Sequence, residues 1–306
     1  MARAEQGESH AWLRCAAWSC RHRCRGVIVV IVRDNASIIV ARMRAAWLSL
    51  AWSAIAGAQS TIPRTVPHDF TVFEFRRYTV TEGSRDRFAL YFDTYFPEAF
   101  QQLGAVAVGQ FLERKNPRGF TWLRGFHTLD DRAIVNAAFY YGPVWREHAK
   151  SANDLLFDSD NVLLLQPLAP DRQPSVLPAI DPVTEPTGAH GIVVAQIFPV
   201  AAGQVDAFAR AAESTFARYR AVAGVREAGV LATLDVKNNF PQLPIRTDGP
   251  YLVWLGVVKD DAILEHELQP LVDRSGSTLS AIGALRGTPE WVVMDPTHRS
   301  RLRWLN

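Results

Sequence analysis

Six prolines fall at positions 167, 170, 174, 178, 182 and 186, in the segment PLAPDRQPSVLPAIDPVTEP. A proline at this spacing removes a backbone donor from every turn and clashes with the preceding one. No helix interior or central strand can form across the segment. An extended, semi-rigid linker is predicted over residues 169–190, and the chain is thereby divided into two halves.

The halves follow the same order of elements. Each opens on a strand-like run, FTVFEFRRYTV (70–80) and GIVVAQIFPV (191–200). Each passes through a glycine turn into an amphipathic segment, 82–102 and 201–222. Phe88, Phe92 and Tyr95 recur at helical spacing in the first, and Val205, Phe208 and Phe216 in the second. Two strands follow, AVAVGQFLER and GFTWLRGF in one half, VREAGVLATL and YLVWLGVV in the other. A second helix and a short apolar strand before a proline, NVLLLQP or EWVVMDP, complete each half. The pattern is α+β. It reads as two ferredoxin-like β-α-β-β-α-β halves, over 70–168 and a degenerate 191–297, each a four-stranded antiparallel sheet with its helices on one face. Such a sheet leaves an apolar face open. A tethered second copy is the nearest partner for it, so intramolecular pairing is expected, with further oligomerisation open.

The leading residues behave differently. Residues 1–42 carry seven arginines against Glu5, Glu8 and Asp34, so the remainder is net acidic although the whole chain is +2. A nucleic-acid partner is a poor fit to that remainder. Cys15, Cys20 and Cys24 match no zinc spacing well, and no metal site is expected. From Met43, one arginine, the apolar run 45–56 and Ala56-Gly57-Ala58 have the order of a secretory signal peptide over 43–58. Residues 1–42 then read as a spurious or disordered extension. A periplasmic or secreted location follows, with the membrane involved only in targeting.

In FYYGPVWREHAKSAND, Pro143 suits a first helical turn. Helical phase puts Trp145, His148, Ala149 and Ala152 on one face, and Arg146, Glu147, Lys150 and Asp154 away from it. His148 is expected to face inward, either lining a pocket between helix and sheet or satisfied within the core. Period two places Glu74, Arg76 and Tyr78 together on the opening strand. They form either a structural pair near a barrel rim or part of a site. Arg124 in WLRGF can anchor a carboxylate or oxyanion by its fork of donors, or pair with Glu74 or Glu113. Gln110 lies on the neighbouring strand. The matching positions of the second half are Val194, Gln196 and Phe198, with Leu255 opposite Arg124. Any site is therefore expected in the first half. No G-x-G-x-x-G, Walker loop, G-x-S-x-G or H-E-x-x-H occurs.

The blocks FEFRRYTVTEG, VGQFLER, WLRGF with DDR, FYYGPVWREHAKSAND and SDNVLLLQPL, in order across 70–168, resemble the NIPSNAP family. The resemblance implies the dimeric α/β-barrel arrangement, formed here within one chain. It also implies an undefined biochemical role, small-molecule binding or stress-related. The wider superfamily suggests a cofactor-independent monooxygenase, or a haem-linked activity using His148, Arg124 and Tyr78. An interaction protein without a pocket is the third alternative. No cofactor is expected outside the haem alternative.

Overall fold

In the computed structural model, which describes residues 69–305, eight antiparallel strands close into a barrel in the order β1-β3-β2-β8-β5-β7-β6-β4. The strands are β1 Val72–Val80, β2 Val106–Glu113, β3 Gly119–Phe126, β4 Leu156–Pro167, β5 Ile192–Pro199, β6 Val225–Thr233, β7 Tyr251–Val258 and β8 Glu290–Pro296. Strands β4-β1-β3-β2 come from the first half and β8-β5-β7-β6 from the second. They join through β2–β8 and β4–β6.

Strands β5 and β7 are buried on both faces, which is why they read as nearly continuous apolar runs, whereas the first half of β4 is half-buried or exposed. Phe73, Phe75, Leu123, Leu165, Ala195 and Val253 belong to the barrel's interior core. The opposite face of each half is covered by helices, through Phe88, Phe92, Phe100 and Phe139 in the first and Phe208, Phe216 and Leu268 in the second.

The single helix expected over 82–102 is two, α1 Arg85–Tyr95 and α2 Pro97–Gln102. Pro97 has no N–H to continue the α1 ladder but suits the first position of a new helix. The connection from β3 to β4 is likewise doubled, into α3 Leu129–Tyr140 and α4 Pro143–Asn153. Thr128 caps α3, its Oγ1 accepting from the Asp131 N–H at 3.1 Å. Between the helices Gly142 is required, because a Cβ there would lie 2.2 Å from the Ala138 carbonyl oxygen. In the second half α5 Val205–Arg220 is continuous. The short α6 Asp261–Ile263 runs through a π turn, Leu264–Leu268, into α7 Gln269–Ser280.

The proline segment is not a free spacer. Val176 and Leu177 are buried, the Ser175 N–H donates to the Ala228 carbonyl at 3.0 Å, and Arg303 clamps Glu185 at 2.6 and 2.7 Å. Thr297 Oγ1 donates to Asp93 of α1 at 3.0 Å, and the chain packs on beyond residue 297, where Arg299 Nη1 donates to the Asp93 carbonyl at 2.7 Å.

Register corrects one sequence expectation. Arg76 pairs with Trp122 in the first half and Gln196 with Trp254 in the second. Arg124 therefore corresponds to Gly256, not Leu255, with Val194 in the place of Glu74. A Cβ at Gly256 would meet the Trp254 ring at 2.5 Å, so a side chain there would force the buried ring to shift. Among the described residues no helix is long and apolar enough to cross a membrane. The leader, the signal peptide and the three cysteines fall outside the described residues.

Candidate functional site

Glu74 on β1 stands opposite Arg124 on β3, so both side chains project from the same face of the sheet, toward the helices of the first half. The Glu74 carboxylate is fully buried and accepts from three arginines. Arg132 Nε reaches Oε1 at 2.7 Å; Arg76 Nη1 and Arg124 Nε each reach Oε2 at 3.1 Å, and Arg124 Nη2 closes a further bond to Oε2. Arg76 Nε donates to the Tyr78 hydroxyl at 2.8 Å. The Arg124 guanidinium lies 4.7 Å from the Phe100 ring centroid, 5.0 Å from Trp122 and 4.9 Å from Phe126. These aromatic faces supply cation–π attraction to a charge already stripped of water.

The three guanidiniums are 0–1% exposed, so the site holds one negative charge against three positive ones out of reach of solvent. Burial by itself would raise the Glu74 carboxyl. Arg124, Arg76 and Arg132 outweigh it and hold the group far below the usual carboxylate range. Burial, opposed by Glu74, combines with repulsion from Arg124 and Arg76 to pull the Arg132 guanidinium down. Guanidinium basicity is high enough that it remains charged.

Several buried polar atoms of this layer have no hydrogen-bond partner among the described residues. They are Arg124 Nη1, Arg132 Nη2, Trp122 Nε1, both amide atoms of Gln110 and both amide atoms of Asn136. Gln110 pairs with Trp122, which pairs with Arg76, so these three share one row on the helix-facing side. Asn136 is one turn from Arg132 on α3, and both are 0% exposed. Buried polar atoms are normally satisfied, and such a concentration of donors in one layer is unusual.

The structure thus brings together Glu74, Arg76, Tyr78, Arg124 and Gln110. The pair near a barrel rim is instead deep beneath the helices. His148 and Trp145 stand apart. His148 is half-buried between α1 and α4, not against the sheet: its Nδ1 bonds the Tyr91 hydroxyl at 2.6 Å, and its ring stacks on Tyr95 at 3.9 Å. Helical phase gave the right face, but the doubled connection put α4 against α1 at that point. Trp145 packs on Phe96, Phe139 and Tyr140. Sequence reasoning missed Arg132 and Asn136. Their signal was present, since 132, 135, 136 and 139 form the inward stripe of α3 and two of those four positions are polar.

The second half, together with Arg172 of the proline segment, has a different electrostatic composition. Arg172 and Arg220 each bridge Glu213 and Glu227, at 2.5–2.7 Å, and Trp254 Nε1 donates to Glu227 at 2.9 Å. Two positive charges meet two negative ones there, and the network is partly exposed. A cavity of about 540 Å³ opens elsewhere, lined by Gln166, Asp206, Thr233, Ile245 and Arg246 among others, and none of the predicted site residues lines it. Among the described residues no cluster of His, Cys, Asp and Glu is arranged to hold a metal ion.

No family model matches this sequence, and no curated protein matches it. Solved structures do. NIPSNAP family proteins are among them. An uncharacterised NIPSNAP-like domain protein from Burkholderia xenovorans is 24% identical, covering 36% of this chain and 94% of its own, with a TM-score of 0.32. A candidate monooxygenase from Lactobacillus acidophilus is 11% identical over 74% of this chain and 94% of its own, with a TM-score of 0.46. An anthrone oxidase-like protein is 11% identical over 78% and 98%, with a TM-score of 0.48.

Proposed function

We propose that the chain is a NIPSNAP-like small-molecule-binding protein. Two ferredoxin-like halves pair within it as a dimeric α/β barrel, and its ligand site is the helix–sheet layer of the first half. The observation that carries this reading is the buried, one-sided set of polar groups around Glu74, with donors left unpartnered, where the second half keeps a balanced ion-pair network. A purely structural layer would be expected to close its hydrogen bonds; the corresponding layer of the second half leaves fewer atoms open, Gln196 Oε1 and the Tyr219 hydroxyl among them, and no guanidinium. Native mass spectrometry of the purified full-length protein tests it. A bound small molecule lost on Arg124→Gln supports a ligand site; a ligand retained in that variant, or none found together with no binding from a metabolite panel, removes it.

The haem-linked alternative gains no support from the arrangement, because His148 stands between α1 and α4, apart from the Arg124 and Tyr78 it was grouped with. The secretory reading of residues 43–58 rests on sequence pattern alone. N-terminal sequencing of the mature protein tests it, with a start at Gln59 as the expected result.

A further inference from the structure

A long connection between β6 and β7 reaches across to the first half. Asn238 and Asn239 turn their side-chain oxygens to Arg132 Nη1, at 3.1 and 2.6 Å. The amide orientations are fixed from the other end: Asn238 Nδ2 donates to the Leu243 carbonyl at 2.8 Å, and Asn239 Nδ2 to the Leu129 carbonyl at 2.6 Å. The Phe240 ring stacks over Tyr140 with centroids 6.3 Å apart. The loop therefore caps the charged layer at Arg132, and it offers two neutral carbonyl oxygens where the excess charge is positive.

Three properties of the layer agree on what would satisfy it. The net charge of Glu74, Arg76, Arg124 and Arg132 is two positive, with no other carboxylate within ion-pair distance of those arginines among the described residues. The orphan atoms are mainly donors: two guanidinium nitrogens, an indole nitrogen and two amide nitrogens, against two amide oxygens. Arg124 and Arg132 are locked on opposite oxygens of one carboxylate, so their free nitrogens are held rigidly before any ligand arrives.

We propose, building on the ligand-site reading above, that this layer binds a small oxygen-rich dianion, a phosphate or a dicarboxylate. The unpartnered Arg132 Nη2 and Arg124 Nη1 donate to it, and so does Arg132 Nη1, which it takes over from the Asn238 and Asn239 oxygens. Two negative charges neutralise the layer, and acceptor-only oxygens match its surplus of donors. The loop is the entrance, because Arg132 is the arginine of the cluster that meets it. The asparagines act as an internal competitor for the ligand's place.

The test is titration calorimetry of the full-length protein at low ionic strength and about pH 8. Inorganic phosphate and malonate are the two probes, and uncharged malonamide is the control. One of the two anions is expected to bind at one site per chain, and which one distinguishes phosphate from dicarboxylate chemistry. Arg132→Gln is expected to weaken binding about tenfold or more, the equivalent of one charge-assisted hydrogen bond. The paired variant Asn238→Ala with Asn239→Ala removes the competitor while leaving Glu74 and its three arginines in place, and is expected to tighten binding several-fold. No binding of either anion to the wild type or the loop variant overturns the proposal. So does malonamide binding as well as malonate, or anion binding unchanged by Arg132→Gln. A neutral molecule found bound in the mass spectrum would leave the ligand-site reading standing and sink this one.

Discussion

Replacing Glu74 with glutamine tests whether the layer is held by charge or by shape. The substitution keeps the volume but turns one accepting oxygen into a donating amide. Glu74 is 0% exposed and accepts four hydrogen bonds, all from guanidiniums. Glutamine leaves at least one guanidinium facing a donor and all three without a counter-charge. Breaking a buried ion pair by removing one partner costs about 3–5 kcal/mol, and here three partners share the loss, so the upper part of that range is expected. Urea denaturation followed by far-UV circular dichroism measures it. A second variant separates charge from packing: Glu74→Gln combined with Arg132→Gln removes one of the stranded positive charges. The double variant is expected to be more stable than the two single losses added together, with a coupling of about 1 kcal/mol or more. A Glu74→Gln protein within about 1 kcal/mol of wild type, or strictly additive losses, would refute the electrostatic account.

His148→Ala is expected to cost about 1 kcal/mol, the scale of one lost hydrogen bond with a partly exposed stack, and to leave phosphate or malonate binding unchanged by calorimetry. Gly256→Ala should destabilise by about 1–3 kcal/mol in urea, because its methyl overlaps the buried Trp254 ring; a neutral result would mean that β7 shifts freely. Asp93 is pushed up to about 6, chiefly by burial, against the opposing pull of Thr297 and Arg299. Its carboxyl holds a proton in the folded chain through a range where the unfolded chain has lost it. Its contribution to stability therefore falls as pH rises from about 4 to about 6, by roughly 3 kcal/mol at most, and is flat above. Carboxyl-detected NMR should find its midpoint near 6, and a midpoint below 4 would contradict the burial argument. Glu74 has the opposite sign: its depressed folded value means that its stabilisation is complete above the ordinary glutamate range and shrinks as pH falls below it.

Much of the candidate site was legible in the sequence. Alternation along FTVFEFRRYTV put Glu74, Arg76 and Tyr78 on one face, and the strand pairing that follows brought Arg124 opposite Glu74. That legibility has a simple cause, since period two is a property of the extended backbone and survives any tertiary arrangement. The helices were less readable. The face shared by Trp145 and His148 was visible, but not the element that would cover it. A hydrophobic face does not say whether a sheet or a neighbouring helix lies against it. Trp145 reached the core's edge, while His148 met Tyr91 and Tyr95 of α1.

The sequence by itself determined the order of the eight strands, which of the connections are helical, and the concentration of polar residues in the strands before the prolines. All follow from local backbone chemistry and short-range periodicity. Only the tertiary structure decided that Arg132 and Asn136 join the site, and that Asn238 and Asn239 from the second half, more than 100 residues along the chain, close it. Barrel closure through β4–β6 and β2–β8 ties the two halves into one barrel, and the loop after β6 lies across α3. No periodicity encodes which loop will lie over which helix. That contact is fixed by packing the two sheets together, and with it the balance of charge around Glu74.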